Sequence, residues 1–171
     1  MLKLKLFFLC IISLSQSFAQ NDKLDVFLKD NNIAVNLYSD PTGRNISNTI
    51  MNDSLYEYYF AFTILKNSPL MFYVEVKSCS QQNSPTIYGW IEKRYCGVYV
   101  RYYDTESDSH IRLYEEPDSC KKYKKLNISL QSPVIVVDTK DQWVKVIFLY
   151  NGTYYEGWID KYCSSIYNSC T

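Results

Sequence analysis

The chain has 171 residues, with 18 acidic and 18 basic side chains that give a formal net charge of zero at pH 7. This balance provides no global attraction to nucleic acid or to a membrane surface, so we expect neither as a partner. Tyrosine is abundant, with 17 residues, whereas glycine and proline number 5 each. Aromatic enrichment favours β-strands, and it favours surfaces whose rings have an apolar body and a polar tip.

Residues 1–19 have the pattern of a secretory signal peptide. A lysine-bearing start precedes a short apolar run over residues 6–14, and Ser17-Phe-Ala19 ends in small residues that suit cleavage after Ala19. The run is too short for a transmembrane span, and no later segment is long and apolar enough for one. We therefore expect a secreted or periplasmic protein.

The cysteines indicate disulfide chemistry. Of 6 cysteines in the chain, Cys10 lies in the signal peptide, so an odd number remains after cleavage. In an exported protein these are expected to pair rather than to bind metal. Cys163 and Cys170 are close in sequence and are the candidates for one bridge, while the other pairings stay open. No Cys-x-x-Cys pair occurs and His110 is the only histidine, so we expect no metal and no cofactor.

In chain order, the first predicted element is an opening strand that ends in Leu-Tyr. It covers Val35-Asn-Leu-Tyr-Ser-Asp-Pro41 and occurs again as Ile111-Arg-Leu-Tyr-Glu-Glu-Pro117. Two further features recur later in the same order, which indicates an internal duplication.

A central pair of strands follows each opening strand. The first copy is Phe60–Leu65 with Tyr73–Val76, and the second is Val134–Val137 with Trp143–Val146. This alignment places Tyr73 at the position of Trp143. Asn151-Gly152 after the last of these strands predicts a tight hairpin, because both residues tolerate positive φ.

The third repeated feature is a Gly-Trp-Ile strand. Tyr88-Gly-Trp-Ile-Glu-Lys-Arg-Tyr-Cys96 matches Glu156-Gly-Trp-Ile-Asp-Lys-Tyr-Cys163. Each glycine lacks a Cβ, so another backbone can approach the strand closely. Each tryptophan is large enough to fill much of a small barrel core. The residues expected to be structural are Gly89, Trp90, Trp143, Gly157 and Trp158.

The segments alternate apolar and polar residues or are wholly apolar over strand lengths, and no convincing helical period follows the signal peptide. The sequence therefore predicts an all-β fold. We place unit one at residues 24–100 and unit two at 101–171. No linker rich in proline or serine separates them, so the two units are expected to pack against each other.

These motifs resemble the bacterial SH3-like (SH3b) family, especially the tandem exported SH3-like proteins of Bacteroidota. In those proteins a cysteine often follows the Gly-Trp-Ile segment, as Cys96 and Cys163 do here. The resemblance covers most of the chain after the signal peptide, twice over. It implies two small, partly open β-barrels in tandem. It also implies a binding function without catalysis, often toward cell-wall or cell-surface components.

Two groups of side chains are candidate ligand contacts. Four lysines surround Tyr123 and are suited to an anionic polymer or a peptide carboxylate, although a solvated loop is the simpler alternative. Three tyrosines could line an aromatic groove, with core or interface packing as the alternative. The candidate residues are Tyr38, Tyr59, Tyr114, Lys121, Lys122, Tyr123, Lys124 and Lys125.

The leading functional hypothesis is a non-enzymatic exported binding module that recognises cell-envelope peptides or glycans. The alternative is an accessory or inhibitor protein that binds a partner protein through its aromatic faces. An exported hydrolase is disfavoured, because His110 would have to meet a free thiol in an oxidising compartment. A calcium loop over residues 104–115 is also disfavoured, since Ser109 stands where such a loop needs glycine.

Overall fold

The chain is all-β, with one short 3₁₀-helix at Lys93–Tyr95, in the part that the computed structural model describes. The described residues are 24–30, 33–53, 59–79, 85–100, 103–105, 108–130, 132–160 and 164–165. The strands are β1 (Leu24–Leu28), β2 (Val35–Tyr38), β3 (Ile46–Ile50), β4 (Phe60–Asn67), β5 (Met71–Ser78), β6 (Ile87–Glu92), β7 (Cys96–Val100), β8 (Tyr103–Thr105), β9 (Asp108–Tyr114), β10 (Tyr123–Leu126), β11 (Val134–Lys140), β12 (Trp143–Tyr150), β13 (Thr153–Asp160) and β14 (Ser164–Ser165). The signal peptide predicted at 1–19 and the proposed bridge partners Cys163 and Cys170 lie outside these ranges.

The strands form one antiparallel sheet in the order β10-β9-β13-β12-β11-β7-β1-β4-β5-β6-β2-β3, with β14 added to β7 and β8 added to β9. Over the described strands this path does not close on itself, and it ends at β10 and β3. We call β1–β6 the first half and β8–β13 the second half. Within the described ranges, no helix has the length and apolar content of a transmembrane span.

The two halves pair their strands in the same way. In each half the opening strand (β2 or β9) lies beside the Gly-Trp-Ile strand (β6 or β13), and that strand is the last of a three-stranded meander. The equivalent pairs are Val74 with Gly89 and Val146 with Gly157, and Tyr38 with Trp90 and Tyr114 with Trp158. The internal duplication is therefore visible in the strand registers.

These registers correct the alignment of the central strands. Tyr73 pairs with Trp90 in the first half, whereas Lys145 pairs with Trp158 in the second. The residue equivalent to Trp143 is therefore Met71, and the alignment of Tyr73 with Trp143 is wrong by two positions.

Both halves also interrupt the register at an equivalent point. The pairing of β4 with β5 shifts between Ile64 and Lys66, and that of β11 with β12 shifts between Val136 and Asp138. An extra residue in one strand bends it and increases its twist. The shared irregularity gives the two meanders the same local bend.

The halves are joined through β7, which pairs with strands of both. Gly97 pairs with Phe27 of β1 on one edge and with Ile135 of β11 on the other. In the second half β7 lies beside β11 as β1 lies beside β4 in the first. The buried apolar side chains of the two halves accordingly form one continuous core.

Side chains alternate between this core and the opposite face of the sheet, as the strand repeat of two requires. On β13, Ile159 lies in the core, while Trp158 points to the outer face and joins a separate buried cluster. Trp90 is half-buried at the equivalent position of β6. The tryptophans that the sequence places in the barrel core therefore pack on the outer face instead.

The hairpin predicted at Asn151-Gly152 is confirmed. Both residues have positive φ, 48° and 76°, and Tyr150 pairs with Thr153 across the turn. This turn sets the register of β12 and β13, and it carries the start of β13 toward the β9–β10 hairpin.

Candidate functional site

An aromatic cluster covers the outer face of the second half. Tyr114, Trp143 and Trp158 are buried together there. The ring centres of Tyr114 and Trp143 are 5.1 Å apart and nearly perpendicular, at 73°. Tyr123 extends the cluster, with its ring centre 5.2 Å from that of Tyr114. The predicted ligand contacts Tyr114 and Tyr123 are therefore neighbours.

The first half carries a more open version of this cluster. The ring centres of Tyr73 and Trp90 are 5.3 Å apart, and the Lys66 ammonium lies 5.5 Å from the Tyr73 ring centre. Tyr38 pairs with Trp90 through the backbone. Tyr38, Tyr73 and Trp90 are each half-buried, so this cluster keeps ring surface in contact with solvent.

Glycines hold the opening strands close enough to bring these rings together. A Cβ on Gly157 would lie 2.9 Å from the Leu113 Cβ and 3.2 Å from the Tyr114 carbonyl oxygen. A Cβ on Gly89 would lie 2.9 Å from the Leu37 Cβ. Real side chains do not tolerate such distances, so the close approach depends on glycine at both positions.

Residues 115–122, which we call the lysine loop, form a hydrogen-bonded connection between β9 and β10. The Glu115 N–H donates to the Lys122 carbonyl at 3.1 Å, and the Lys121 N–H donates to the Asp118 carbonyl at 3.1 Å. The Asp118 carboxylate also accepts the Cys120 N–H at 2.8 Å. These bonds hold consecutive lysines at the edge of the second half.

Beside this loop lies a cleft of about 790 Å³, which we call the lysine–tyrosine cleft. It lies between the β9–β10 hairpin and the N-terminal end of β13. It is lined by Leu113, Tyr114, Glu115, Cys120, Lys121, Lys122, Tyr123, Lys124, Tyr154, Tyr155 and Glu156. Five of the eight candidate ligand contacts thus surround one space.

Two stacked rings lie beneath the ammonium of one lysine at this cleft. The rings of Phe148 and Tyr155 are stacked, with centres 5.3 Å apart and planes at 15°. The Lys124 ammonium lies 4.9 Å from the Tyr155 ring centre. A ring beneath an ammonium attracts it, so the Tyr155 ring favours this position of the Lys124 ammonium.

Three lysines line the cleft together with the carboxylates of Glu115 and Glu156. Glu156 on its rim pairs with Lys145, which does not line the cleft. Lys121 pairs at 3.3 Å with Glu116, which is exposed in the loop. Lys122 and Lys124 add positive charge at the cleft, and Glu115 contributes one opposing negative charge.

Three of the predicted contacts lie elsewhere. Lys125 pairs with Arg112 across β9 and β10, Tyr59 precedes β4 and accepts the Cys79 N–H at 2.9 Å through its carbonyl, and Tyr38 belongs to the first half. Tyr154 and Tyr155 line the cleft but were not predicted as contacts. The Asn-Gly turn before them was the available signal, but it does not reveal which hairpin they face.

The three cysteines within the described ranges have different environments. Cys79 is disulfide-bonded, while Cys96 and Cys120 are free. Cys96 is buried in the core, and this burial raises the pKa of its thiol well above the ordinary value. Cys120 is exposed at the cleft.

The His110 side chain contacts Arg112. It is buried, and its Nε2 accepts a hydrogen bond from the Arg112 Nε at 3.1 Å. Across the described part of the chain, no group of three or more His, Cys, Asp or Glu side chains could hold a metal ion.

Comparisons with family models, with curated proteins and with solved structures returned no match to this chain.

Proposed function

We propose that this chain is an exported, non-enzymatic binding protein that recognises cell-envelope peptides or glycans through SH3-like units in tandem. The observation that carries the proposal is the lysine–tyrosine cleft. Its volume falls in the range of about 300–1,000 Å³ that is typical of ligand sites. It combines ring surfaces with ammonium groups, which suits ligands that have both an apolar face and a negative charge.

The repeated registers support the SH3-like part of the proposal. In each half, an opening strand crosses beside a Gly-Trp-Ile strand that ends a three-stranded meander. In the first half a 3₁₀ turn at Lys93–Tyr95 follows that strand and leads into β7. This order of elements agrees with the resemblance of the sequence motifs to SH3-like domains.

A cell-wall pulldown tests the proposal. We expect Lys121, Lys122 and Lys124→Ala together to lower retention on purified wall about tenfold or more, because charge-assisted contacts are lost. High salt should weaken retention of the unmodified protein by screening the same contacts. The matched control changes Arg44, Lys77 and Lys140 to Ala, since these cations are also exposed and their loss alters net charge equally.

Equal losses in the two triple variants would reject the cleft as the binding site. Unmodified protein that does not bind the wall at any salt concentration would reject the proposed ligand class. Circular dichroism of both variants checks that the β-structure is retained.

A second candidate function is an accessory or inhibitor protein that binds a partner protein. The observation that favours it is the first-half cluster of Tyr38, Tyr73 and Trp90, whose rings are only half-buried. Partly exposed aromatic groups are enriched at protein interfaces. A stable co-purifying protein that is lost on Tyr73→Ala, together with no wall retention, would support this function over the first.

A further inference from the structure

The two halves share a backbone frame but differ in the side chains around the cleft. From the registers, the first-half residues Ile46, Asn48 and Thr49 correspond to the second-half residues Tyr123, Lys124 and Lys125. Likewise Thr86 and Ile87 correspond to Tyr154 and Tyr155, since Gly89 and Gly157 are equivalent. The first half therefore lacks the equivalents of Tyr123, Lys124, Tyr154 and Tyr155, while Tyr38 keeps the ring of Tyr114.

The exposed surface of the cleft is made of tyrosine rings, ammonium groups and carboxylates. Tyr154 is 80% exposed and Tyr123 is 45% exposed, and they stand on the two hairpins that border the cleft. The aliphatic lining residue is Leu113, which is only 4% exposed. Apart from the stems of its lysines, the cleft therefore offers little aliphatic surface to an apolar peptide side chain.

This surface matches the chemistry of an acidic sugar. A pyranose ring has an apolar C–H face that packs on an aromatic ring, and its rim of hydroxyl groups hydrogen-bonds to polar side chains. Tyrosine supplies the ring and a hydroxyl in one side chain. Lysine donates to a carboxylate through a charge-assisted hydrogen bond, and Lys124 is already held over Tyr155.

We propose that the second half alone carries the binding site, and that this site takes a carboxylate-bearing saccharide. One sugar unit packs against Tyr154 on the outer face, and Lys122 binds a carboxylate. Lys124 lies on the core-facing side with Leu113 and Tyr155, so it binds the carboxylate of a neighbouring sugar unit. The inference rests on the proposed function and narrows its ligand class from peptides or glycans to acidic glycans. It also assigns the first half a supporting role, because Thr86 and Asn48 stand there at the positions of Tyr154 and Lys124.

Calorimetric titration of the full chain tests the ligand class. The probes are an oligogalacturonate, its methyl ester and an oligoglutamate of matched length. We expect the oligogalacturonate to bind with one site per chain and at least about tenfold more tightly than its methyl ester, because esterification removes the carboxylate charge. We also expect it to bind more tightly than the oligoglutamate, which has the charge but no sugar ring.

Substitutions locate the site. Lys124→Ala should weaken oligogalacturonate binding about tenfold and Tyr154→Ala about fivefold, since one removes a charge-assisted contact and the other a ring. The matched first-half controls are Lys77→Ala and Tyr88→Ala. Lys77 is exposed and Tyr88 is 50% exposed, and neither lines the lysine–tyrosine cleft. Both controls should leave the affinity unchanged.

Three results would overturn the inference. Equal affinity for the oligoglutamate and the oligogalacturonate would show that charge alone is recognised. Two sites per chain, or loss of binding in the first-half controls, would show that the first half takes part. Wall retention that needs the cleft lysines, without affinity for the oligogalacturonate, would reject the acidic saccharide while the proposed function stands.

Discussion

The first and second halves use one backbone frame to present two different surfaces. In both, a glycine lets the opening strand approach, and the following tryptophan pairs with the tyrosine of that strand. Yet the second half buries its outer aromatic cluster and adds a cationic cleft, whereas the first half leaves its rings half-buried. The two halves therefore share their strand pairing, while the side chains on the outer face and at the sheet edge differ between them.

The largest expected difference between the halves concerns the two tryptophans. Trp158 is 8% exposed, so Trp158→Ala should lower the free energy of unfolding by about 3–4 kcal/mol through lost burial and a residual cavity. Trp90 is half-buried, and Trp90→Ala should cost about half as much. Urea unfolding of both variants measures this difference. Equal losses would contradict the distinction between a closed and an open cluster.

A smaller difference is expected at the glycines. Gly157→Ala should lower the free energy of unfolding by about 2 kcal/mol and Gly89→Ala by about 1 kcal/mol, because added atoms force a backbone shift. The ranking follows from the nearest carbonyl oxygen, which lies 3.2 Å from the added Cβ at Gly157 and 3.4 Å at Gly89. Urea midpoints at equal m-value measure both losses. A neutral Gly157→Ala variant would show that the opening strand moves aside easily.

The smallest expected effect is an alkaline loss of stability that depends on Cys96. Burial raises the pKa of the Cys96 thiol above the ordinary 9.0. The unfolded chain releases this proton near that pH while the folded chain keeps it. The contribution to stability is therefore complete below about pH 9 and falls as the pH rises further.

Urea midpoints between about pH 7 and pH 10 measure this effect as the difference between the unmodified protein and Cys96→Val. Cys120→Val is the control, since Cys120 is exposed and free in the folded chain. Parallel pH profiles for the unmodified protein and Cys96→Val would contradict the prediction.

Strand content, the Asn151-Gly152 hairpin and the repeated Gly-Trp-Ile segment could be predicted because their signals are local. The sequence alignment of Tyr73 with Trp143 was wrong by two residues because side chains alternate with a period of two. A shift of two residues keeps every side chain on its own face, so the apolar pattern cannot detect it. Only the pairing of Val74 with Gly89 and of Val146 with Gly157 fixes the correct alignment.

The sequence predicts the residues on one side of the lysine–tyrosine cleft but not those on the other. Lys121, Lys122 and Lys124 lie within four consecutive residues and form a visible charge run, so the sequence indicates them directly. Tyr154 and Tyr155 come from a hairpin some thirty residues later, and the sequence does not indicate which strands β13 will face. Long-range pairing of this kind depends on the whole sheet, as does the double pairing of β7.

Because β7 pairs with both halves, cutting the chain after β7 affects the two halves differently. A fragment that ends at Val100 keeps every strand of the first half and β7 as well. A fragment that starts at residue 101 loses the strand on which β11 lies, and it exposes the edge of β11 to other chains. A fragment of the second half that keeps β7 beside β11 must begin at Cys96. In that fragment, the edge of β7 that pairs with β1 in the full chain is left unpaired.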